Sequence, residues 1–327
     1  MTGIRIAGTG YYVPERVLSN KDLEKTLDTT DEWIVKRTGI SERRIAEPHQ
    51  AASDMAVPAA KQAMEAAGIT AEDLDYIIMG TISPDMACPA GACFVEAKLG
   101  ATKAVSFDVT AACSGFIFTL DVGRRFLQTG AKNVLVVAGE IMTRMQDWTD
   151  RANCILWGDG AGAVVLQPGD NAPQLIEIYT ATDGANGQNL LVPSGGSLTT
   201  PISYESVDKK LHTLKMIDAA NTLKVAVQYF YDAARTVLDR QGLTFEDVDH
   251  YVPHQANVRF MQALARRMNI SMDRFIVTIS KYGNISGASC IIALAEGIKT
   301  GRVKPGDLVC MPVFGGGLTW GAALIRF

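Results

Sequence analysis

The sequence predicts an α/β fold built from two similar βα halves. Three observations carry this. Apolar runs of strand length alternate with segments of helical periodicity along the whole chain. Residues 59–76, AAKQAMEAAGITAEDLDY, return without a gap as residues 233–250, AARTVLDRQGLTFEDVDH. After each copy the same order follows: strand, loop, helix, strand, then a small-residue turn into another helix. The division falls near Pro168 to Pro173, giving halves of 1–169 and 170–327. Such alternation predicts mostly parallel sheets covered by helices.

The elements follow in order. Ile4 to Ile6 opens a strand, and Gly8-Thr9-Gly10 follows it. Pro14 and the lack of an apolar helix after the glycines argue against a dinucleotide loop. A helix is expected from Asn20 past Leu27, and another from Asp31 to Lys36. Ser53 to Ala67 reads as a helix with Asp54 in its first turn and Gly68 as its stop. Asp75 to Gly80 is a strand, and Pro89 to Leu99 a helix. Ala104 to Val109 is a strand leading to a helix through Leu127. Asn133 to Gly139 is apolar enough to be buried on both faces. The second G-x-G, Gly158-Asp159-Gly160, runs into a β-branched stretch and is a closely packed strand.

Composition excludes several classes. The chain has 327 residues, is 47% hydrophobic and 20% charged, and carries a net charge of −4. That implies no general attraction to nucleic acid or anionic membrane. No apolar run approaches transmembrane length, and the opening strand is not a signal peptide. The six cysteines form no C-x-x-C pair, and no metal-ligand spacing links them to the four histidines. Free thiols in a reducing, cytoplasmic compartment are expected, with no bound metal.

Two residues point to chemistry. Cys113, in Thr110-Ala111-Ala112-Cys113-Ser114-Gly115, sits where a strand turns into a helix N-terminus. Unpaired N–H groups and the helix dipole favour a thiolate there, and small neighbours leave room for a substrate. A buried structural cysteine is the competing reading. His254, in Pro253-His254-Gln255-Ala256-Asn257, ends a strand and opens a helix from Val258 to Met268, where open α/β sheets place ligands. His49, His212 and His250 read as structural. Cys113 with His254 suggests a nucleophile and its base, or a thiolate–imidazolium pair. Through the repeat, the turn Tyr282 to Ser289 corresponds to the Cys113 turn, which brings Asn284 near Cys113. An amide there could polarise a carbonyl. The residues by themselves reach acyl transfer through a thioester.

The motifs A-A-C-S-G-F at 111–116, H-Q-A-N at 254–257, G-N-x-S at 283–286 and F-G-G-G-L-T-W-G at 314–321 together resemble β-ketoacyl-acyl-carrier-protein synthase III. The resemblance runs from the opening strand to Arg326-Phe327. It implies a thiolase-like five-layer αβαβα fold, a homodimer, and decarboxylative condensation of an acyl-coenzyme A primer with malonyl-acyl carrier protein. On this resemblance Cys113 takes the acyl primer, and His254 and Asn284 promote decarboxylation. The N–H groups of Cys113 and Gly316 form the oxyanion hole. Trp33, Arg37 and Arg151 hold the adenine end of coenzyme A, and Asn257 lines the pantetheine tunnel. Cys88 stands where acetyl-selective members have a phenylalanine that crosses the dimer to close the acyl pocket. Lys224, Arg259, Arg266 and Arg267 match a carrier-docking patch, although a solvated helix face explains such residues equally. No metal or redox cofactor is implied; the coenzyme A and phosphopantetheine thioesters are substrates.

This chain departs from the family pattern at Ile285, Gly287, Cys290, Ile291 and Leu223, which is expected to alter tunnel shape and substrate choice. Two other functions stay open: a specialised acyltransferase on the same fold, and a catalytically silent acyl-coenzyme A-binding scaffold.

Overall fold

A computed structural model describes residues 3–198, 201–217 and 219–327, without the side chains of 219–223. Leu223 therefore lies outside the described side chains. One nine-stranded sheet dominates. Its strands are β1 (Ile4–Tyr12), β2 (Tyr76–Gly80), β3 (Val105–Val109), β4 (Val134–Ile141), β5 (Asp159–Pro168), β6 (Gln174–Thr182), β7 (His250–Tyr251), β8 (Leu308–Gly315) and β9 (Thr319–Arg326). Their spatial order is β7-β8-β9-β6-β1-β5-β4-β2-β3.

Reading outward from the central β6–β1 contact, the two sides match: β1-β5-β4-β2-β3 on one, β6-β9-β8-β7 on the other. Phe275 forms a further parallel bridge to Tyr251 beyond β7. The sheet is mixed, which corrects the expectation of mostly parallel pairing. β2 pairs in parallel with β3 and β4, and β7 with β8, but β4–β5, β5–β1, β8–β9 and β9–β6 are antiparallel. The alternation of helices and strands stops after β4 and after β8. There the chain turns back on itself and pairs antiparallel.

The repeat survives in hydrogen-bond detail. In one copy the Thr70 N–H donates to Asp73 Oδ2 (2.8 Å); in the other the Thr244 N–H donates to Asp247 Oδ2 (2.7 Å). Both fix the short turn that feeds β2 and β7.

Among the described residues, seven helices of eight residues or more complete the layers: α1 (Asp31–Thr38), α2 (Ala52–Ala67), α3 (Gly91–Leu99), α4 (Gly115–Gln128), α5 (Ala219–Asp239), α6 (Val258–Met268) and α7 (Ala288–Lys299). The strands divide their side chains between layers by period-two alternation. On β4, Val134, Val136 and Ala138 face a central core with Phe116 and Leu120 of α4 and Ile291 and Leu294 of α7. Leu135, Val137 and Ile141 face an outer core with Met55 and Ala59 of α2. On β8, Val309 and Met311 join the central core, while Leu308 and Cys310 join a second outer core under α5 and α6. This gives helix, sheet, helix, sheet, helix.

Several elements differ in extent from expectation. The helix at Asn20 is a single turn, Asn20–Leu23, because its polar sequence offers one apolar residue to bury. Ser19 and Asp22 close it with a capping box. The Gly8 and Gly10 positions let α2 lie directly on β1. A Cβ at Gly10 would overlap the Ala59 carbonyl oxygen, and one at Gly8 the Ala63 carbonyl oxygen.

Gly10→Ala is expected to cost about 3 kcal/mol or more, because helix backbone cannot give way locally. Gly68→Ala, at a left-handed helix stop with open space around it, should cost about 1 kcal/mol. Urea unfolding of both variants checks this; equal midpoints would contradict the close-packing account.

Candidate active site

The Cys113 turn is built from both halves of the chain. A short 3-10 turn, Ala112–Ser114, precedes α4, so Cys113 stands just ahead of the helix. Ala112 takes the left-handed conformation at φ 45°. The turn is tied to the far end of the sheet. Ser114 Oγ donates to the Thr319 carbonyl (3.0 Å), and Thr319 Oγ1 donates to the Ala111 carbonyl (3.1 Å). Gly315 is required at the contact: a Cβ there would sit 2.7 Å from the Cys113 nitrogen.

Asn284 arrives on the equivalent turn of the second half. Its N–H donates to the Leu156 carbonyl (2.8 Å), and its carbonyl accepts from the Gly158 N–H (3.0 Å). Its side-chain Oδ1 accepts from the Ser286 N–H (2.8 Å), which leaves the Nδ2 hydrogens to donate into the cavity. Gly287 lies against the Cys113 turn, where a Cβ would come 3.2 Å from the Ala112 carbonyl oxygen.

His254 is placed by its backbone and by Gln255. The His254 N–H donates to the Pro312 carbonyl (3.1 Å). Gln255, 1% exposed, donates to the Pro253 and Ile276 carbonyls and accepts from the Thr278 N–H. Asn257 caps α6 through Arg259 N–H (2.9 Å) and also lines the cavity.

These elements enclose a cavity of about 500 Å³ that Cys113, His254, Asn284 and Gly316 share with Trp33, Arg37, Asn257 and Arg259. A second, apolar cavity of about 330 Å³ opens on the other side of Cys113. Ile82, Met142, Met145, Val192 and Leu214 line it. Cys113, Trp157, Leu190 and Gly316 border both.

Arg151 stands outside the cavity lining, with its guanidinium 4.9 Å from the centre of the Trp33 ring and Arg37 at 4.5 Å. Cys88 is exposed and lines neither cavity of the single chain. Lys224, Arg266 and Arg267 are exposed on α5 and α6, away from the cavity lining. Arg267 donates to Gln228 Oε1 and lies 4.7 Å from the centre of the Tyr231 ring. Arg259 instead reaches across to the Lys36 carbonyl at the end of α1 (3.1 Å).

Ile285, Gly287, Cys290 and Ile291 line neither cavity, although Gly287 backs onto Ala112 of the apolar one. Ile285, Cys290 and Ile291 pack in the central core, so these residues adjust helix packing and not the tunnel wall.

Burial sets the electrostatics. Cys113 is 5% exposed, His254 2% and Asn284 4%. Burial pushes the Cys113 thiol up to about 12; the Ser286 hydroxyl opposes this and Glu140 adds to it. Burial likewise pushes His254 down to about 3, offset in part by a hydrogen bond to the Ser286 backbone. Burial thus opposes the helix N-terminus, which favours a thiolate. The pair is a neutral thiol and a neutral imidazole on one cavity, not a thiolate–imidazolium.

Similarity to known proteins agrees with this geometry. Residues 107–184 match the model described as 3-Oxoacyl-[acyl-carrier-protein (ACP)] synthase III. Residues 238–327 match the one for that enzyme's C terminal. A β-ketoacyl-[acyl-carrier-protein] synthase III from Caldanaerobacter subterraneus subsp. tengcongensis is 46% identical over 323 residues, covering 98% of this chain and 97% of the relative. The chain belongs to the 3-oxoacyl-acyl-carrier-protein synthase III family. The crystal structure of the Aquifex aeolicus synthase III superposes with a TM-score of 0.90 at 43% identity, covering 99% of this chain and 100% of that one. The priming β-ketosynthase of the R1128 polyketide pathway reaches a TM-score of 0.90 at 34% identity, covering 99% and 96%. The thiolase-like fold of this synthase III family is therefore the fold of this chain.

Sequence reasoning missed the apolar cavity, since its lining residues look like ordinary core.

With the thiol at about 12, iodoacetamide alkylation of Cys113 should accelerate about tenfold per pH unit through neutral and mildly alkaline pH, without levelling off. Peptide-resolved mass spectrometry reads this. A plateau below pH 8, the signature of a preformed thiolate, would contradict the neutral-pair assignment.

Proposed function

We propose that this chain condenses an acyl-coenzyme A primer with malonyl-acyl carrier protein by decarboxylative Claisen chemistry, through an acyl-Cys113 intermediate. One observation carries the reading: Cys113 stands at the junction of two cavities with different linings. The larger carries His254 and Asn284 and opens beside an indole and three guanidiniums. The smaller is apolar and suits a primer chain.

The geometry supports the following course. Trp33 stacks on the adenine ring, and Arg37 and Arg151 meet the phosphates. Cys113 attacks the thioester carbonyl, whose oxygen takes hydrogen bonds from the Cys113 and Gly316 N–H groups. Coenzyme A leaves, and the acyl chain lies in the apolar cavity. A malonyl group then enters through the larger cavity. Its thioester oxygen accepts from Asn284 Nδ2 and from His254, which hold the enolate as carbon dioxide departs. The carbanion attacks the acyl-cysteine and releases a β-ketoacyl thioester. His254 serves as a hydrogen-bonding group, a role its depressed pKa favours. The course needs no metal or redox cofactor.

The Asn284 amide supports condensation over simple acyltransfer to oxygen or nitrogen, which forms no enolate. A silent scaffold would have no use for the Cys113, His254 and Asn284 arrangement. Cys88 joins the acyl pocket only in a homodimer, reaching in from a second copy; sedimentation as a monomer would remove it from the site. No helix among the described residues is long and apolar enough to cross a membrane, and six free thiols suit the cytoplasm.

Intact-mass analysis with acyl-coenzyme A should show one acyl group per chain on wild type and none on Cys113→Ala. Asn284→Ala should load normally but lose about 10²- to 10³-fold in carbon dioxide release from malonyl carrier protein. Equal loss in both half-reactions would contradict the assignment.

Arg266→Glu should raise KM for malonyl carrier protein several-fold at low salt, leave acyl-coenzyme A loading unchanged, and lose its effect in high salt. Arg259→Glu should weaken both substrates, because Arg259 lines the cavity itself. An unaltered carrier response in Arg266→Glu would make that residue only a solvated face.

A further inference from the structure

The apolar cavity beside Cys113 is far larger than a short acyl group needs. It holds about 330 Å³. In another protein an apolar cavity of about 150 Å³ holds benzene, which is about 25 Å³ per carbon. On that scale an acetyl group fills about a sixth of the space, and a chain of about 12 carbons fills nearly all of it. Unfilled apolar space inside a protein is costly, and a wall free to move would close on it. These walls are tied in place. Ile82 lies just after β2, where the buried Glu140 carboxylate accepts from the Ile82 N–H (3.1 Å) and the Ser83 N–H (3.1 Å). The Leu214 N–H donates to the Met145 carbonyl (2.8 Å), and the Leu214 carbonyl accepts from Asn153 Nδ2 (2.9 Å). Lys210 Nζ adds an ion pair to Asp147 Oδ1 (2.8 Å) between the same two segments. Leu190 and Leu191 pair with Met216 and Lys215 in a short antiparallel ribbon.

The lining also selects by polarity. Among the described residues no charged side chain lines the cavity. Its polar side chains have spent their donors. Thr319 Oγ1 donates to the Ala111 and Gly316 carbonyls (3.1 and 3.2 Å), Trp157 Nε1 to Asn153 Oδ1 (3.0 Å), and Thr110 Oγ1 to the Thr81 carbonyl (3.4 Å). A carboxylate at the far end of a primer would lose its water there and gain no side-chain donor. We infer that the preferred primer is an unsubstituted hydrocarbon acyl group of about 8 to 10 carbons, and not acetyl. The inference names the primer class for the condensation proposed above, and rests on that reading. The upper figure allows for Cys88 of a second copy, since a side chain that small takes the space of about two carbons.

Loading is the same reaction at every chain length. The bond from Cys113 Sγ to the acyl carbon forms, the bond from that carbon to the coenzyme A sulfur breaks, and coenzyme A leaves as a thiol with the proton that Cys113 gives up. Chain length therefore acts through binding alone. Each methylene that enters the cavity should raise kcat/KM for loading about threefold to fourfold until the space is full. Beyond that point a chain leaves its end in water or strains the tied walls, and the gain stops. Ile82 and Val192 line this cavity and not the larger one, so a bigger side chain at either takes space from the primer and leaves the coenzyme A path open.

The test measures kcat/KM for loading of Cys113 with straight-chain acyl-coenzyme A donors from acetyl to hexadecanoyl, by rapid quench and intact mass. Wild type should prefer octanoyl or decanoyl to acetyl by about 10²-fold or more, and hexadecanoyl should do no better than decanoyl. Octanoyl-coenzyme A carrying a terminal carboxylate should load about 10²-fold worse than octanoyl. Val192→Phe and Ile82→Phe should each move the optimum shorter by about two to four carbons and lower the octanoyl-to-acetyl ratio about tenfold or more. The ratio is taken within one variant, so a general loss of activity does not move it, and the wild-type series decides the matter if neither variant folds. A wild type that prefers acetyl to octanoyl overturns the inference and leaves the condensation reading standing, because Cys113 still loads. A rise that continues through hexadecanoyl, equal loading of the carboxylated donor, or an unmoved ratio in both folded variants overturns it as well. A wild type that forms no acyl-enzyme with any donor removes the condensation reading, and the primer class with it.

Discussion

The structure depends on the contact between two strand-to-helix turns at its centre. The Ala112–Ser114 turn enters α4, and the Asn284–Gly287 turn enters α7. They meet backbone to backbone, with Gly287 against Ala112, and Gly315 at the end of β8 closes on Cys113. A Cβ would be tight at Gly287 and would overlap at Gly315, and each turn uses a left-handed residue, Ala112 or Ser286. The duplication supplies this: two copies of one topology, related about the β1–β6 contact, bring their equivalent turns together. Nucleophile and amide then converge although they lie on different halves.

A second consequence follows from putting that contact in the middle layer. The reacting groups are nearly fully buried. Burial raises the cost of charge, which pushes the thiol up and the imidazole down, toward their neutral forms. Under the proposed course, charge that develops there is met by fixed donors: the N–H groups of Cys113 and Gly316 and the amide of Asn284. A preset arrangement of this kind is most effective where no solvent competes.

Much of this was legible in the sequence, and the exceptions have physical reasons. The repeat and the turn chemistry of Thr70–Asp73 and Thr244–Asp247 are local, so they survive as pattern. Cys113 was legible from its strand-to-helix turn, His254 from its place at a strand end, and Asn284 through the repeat and the family motifs. The antiparallel pairing of β5 and β9 was not legible, since a buried strand looks the same in either direction. The apolar cavity was hidden for a similar reason. Ile82, Met142, Leu191 and Leu214 come from distant segments, and a residue lining an empty space carries the same side chain as one filling it. The burial that pushes the Cys113 thiol up was not legible either, since a sequence suggests a helix dipole but does not state how deep a residue lies.

Arg43 adds a final point. It is fully buried without a carboxylate partner among the described residues, and burial pushes it down to about 10. It donates to the Ile155 carbonyl (2.8 Å) on the cavity wall and to Asn20 Oδ1 (2.9 Å). Asn20 in turn donates to Asp31 Oδ1 (2.8 Å), at the start of the helix that carries Trp33 and Arg37. One side chain therefore ties the helix that carries Trp33 to the Ile155 segment, and both line the same cavity. The length of that cavity is fixed from behind its wall, by a residue that does not line it.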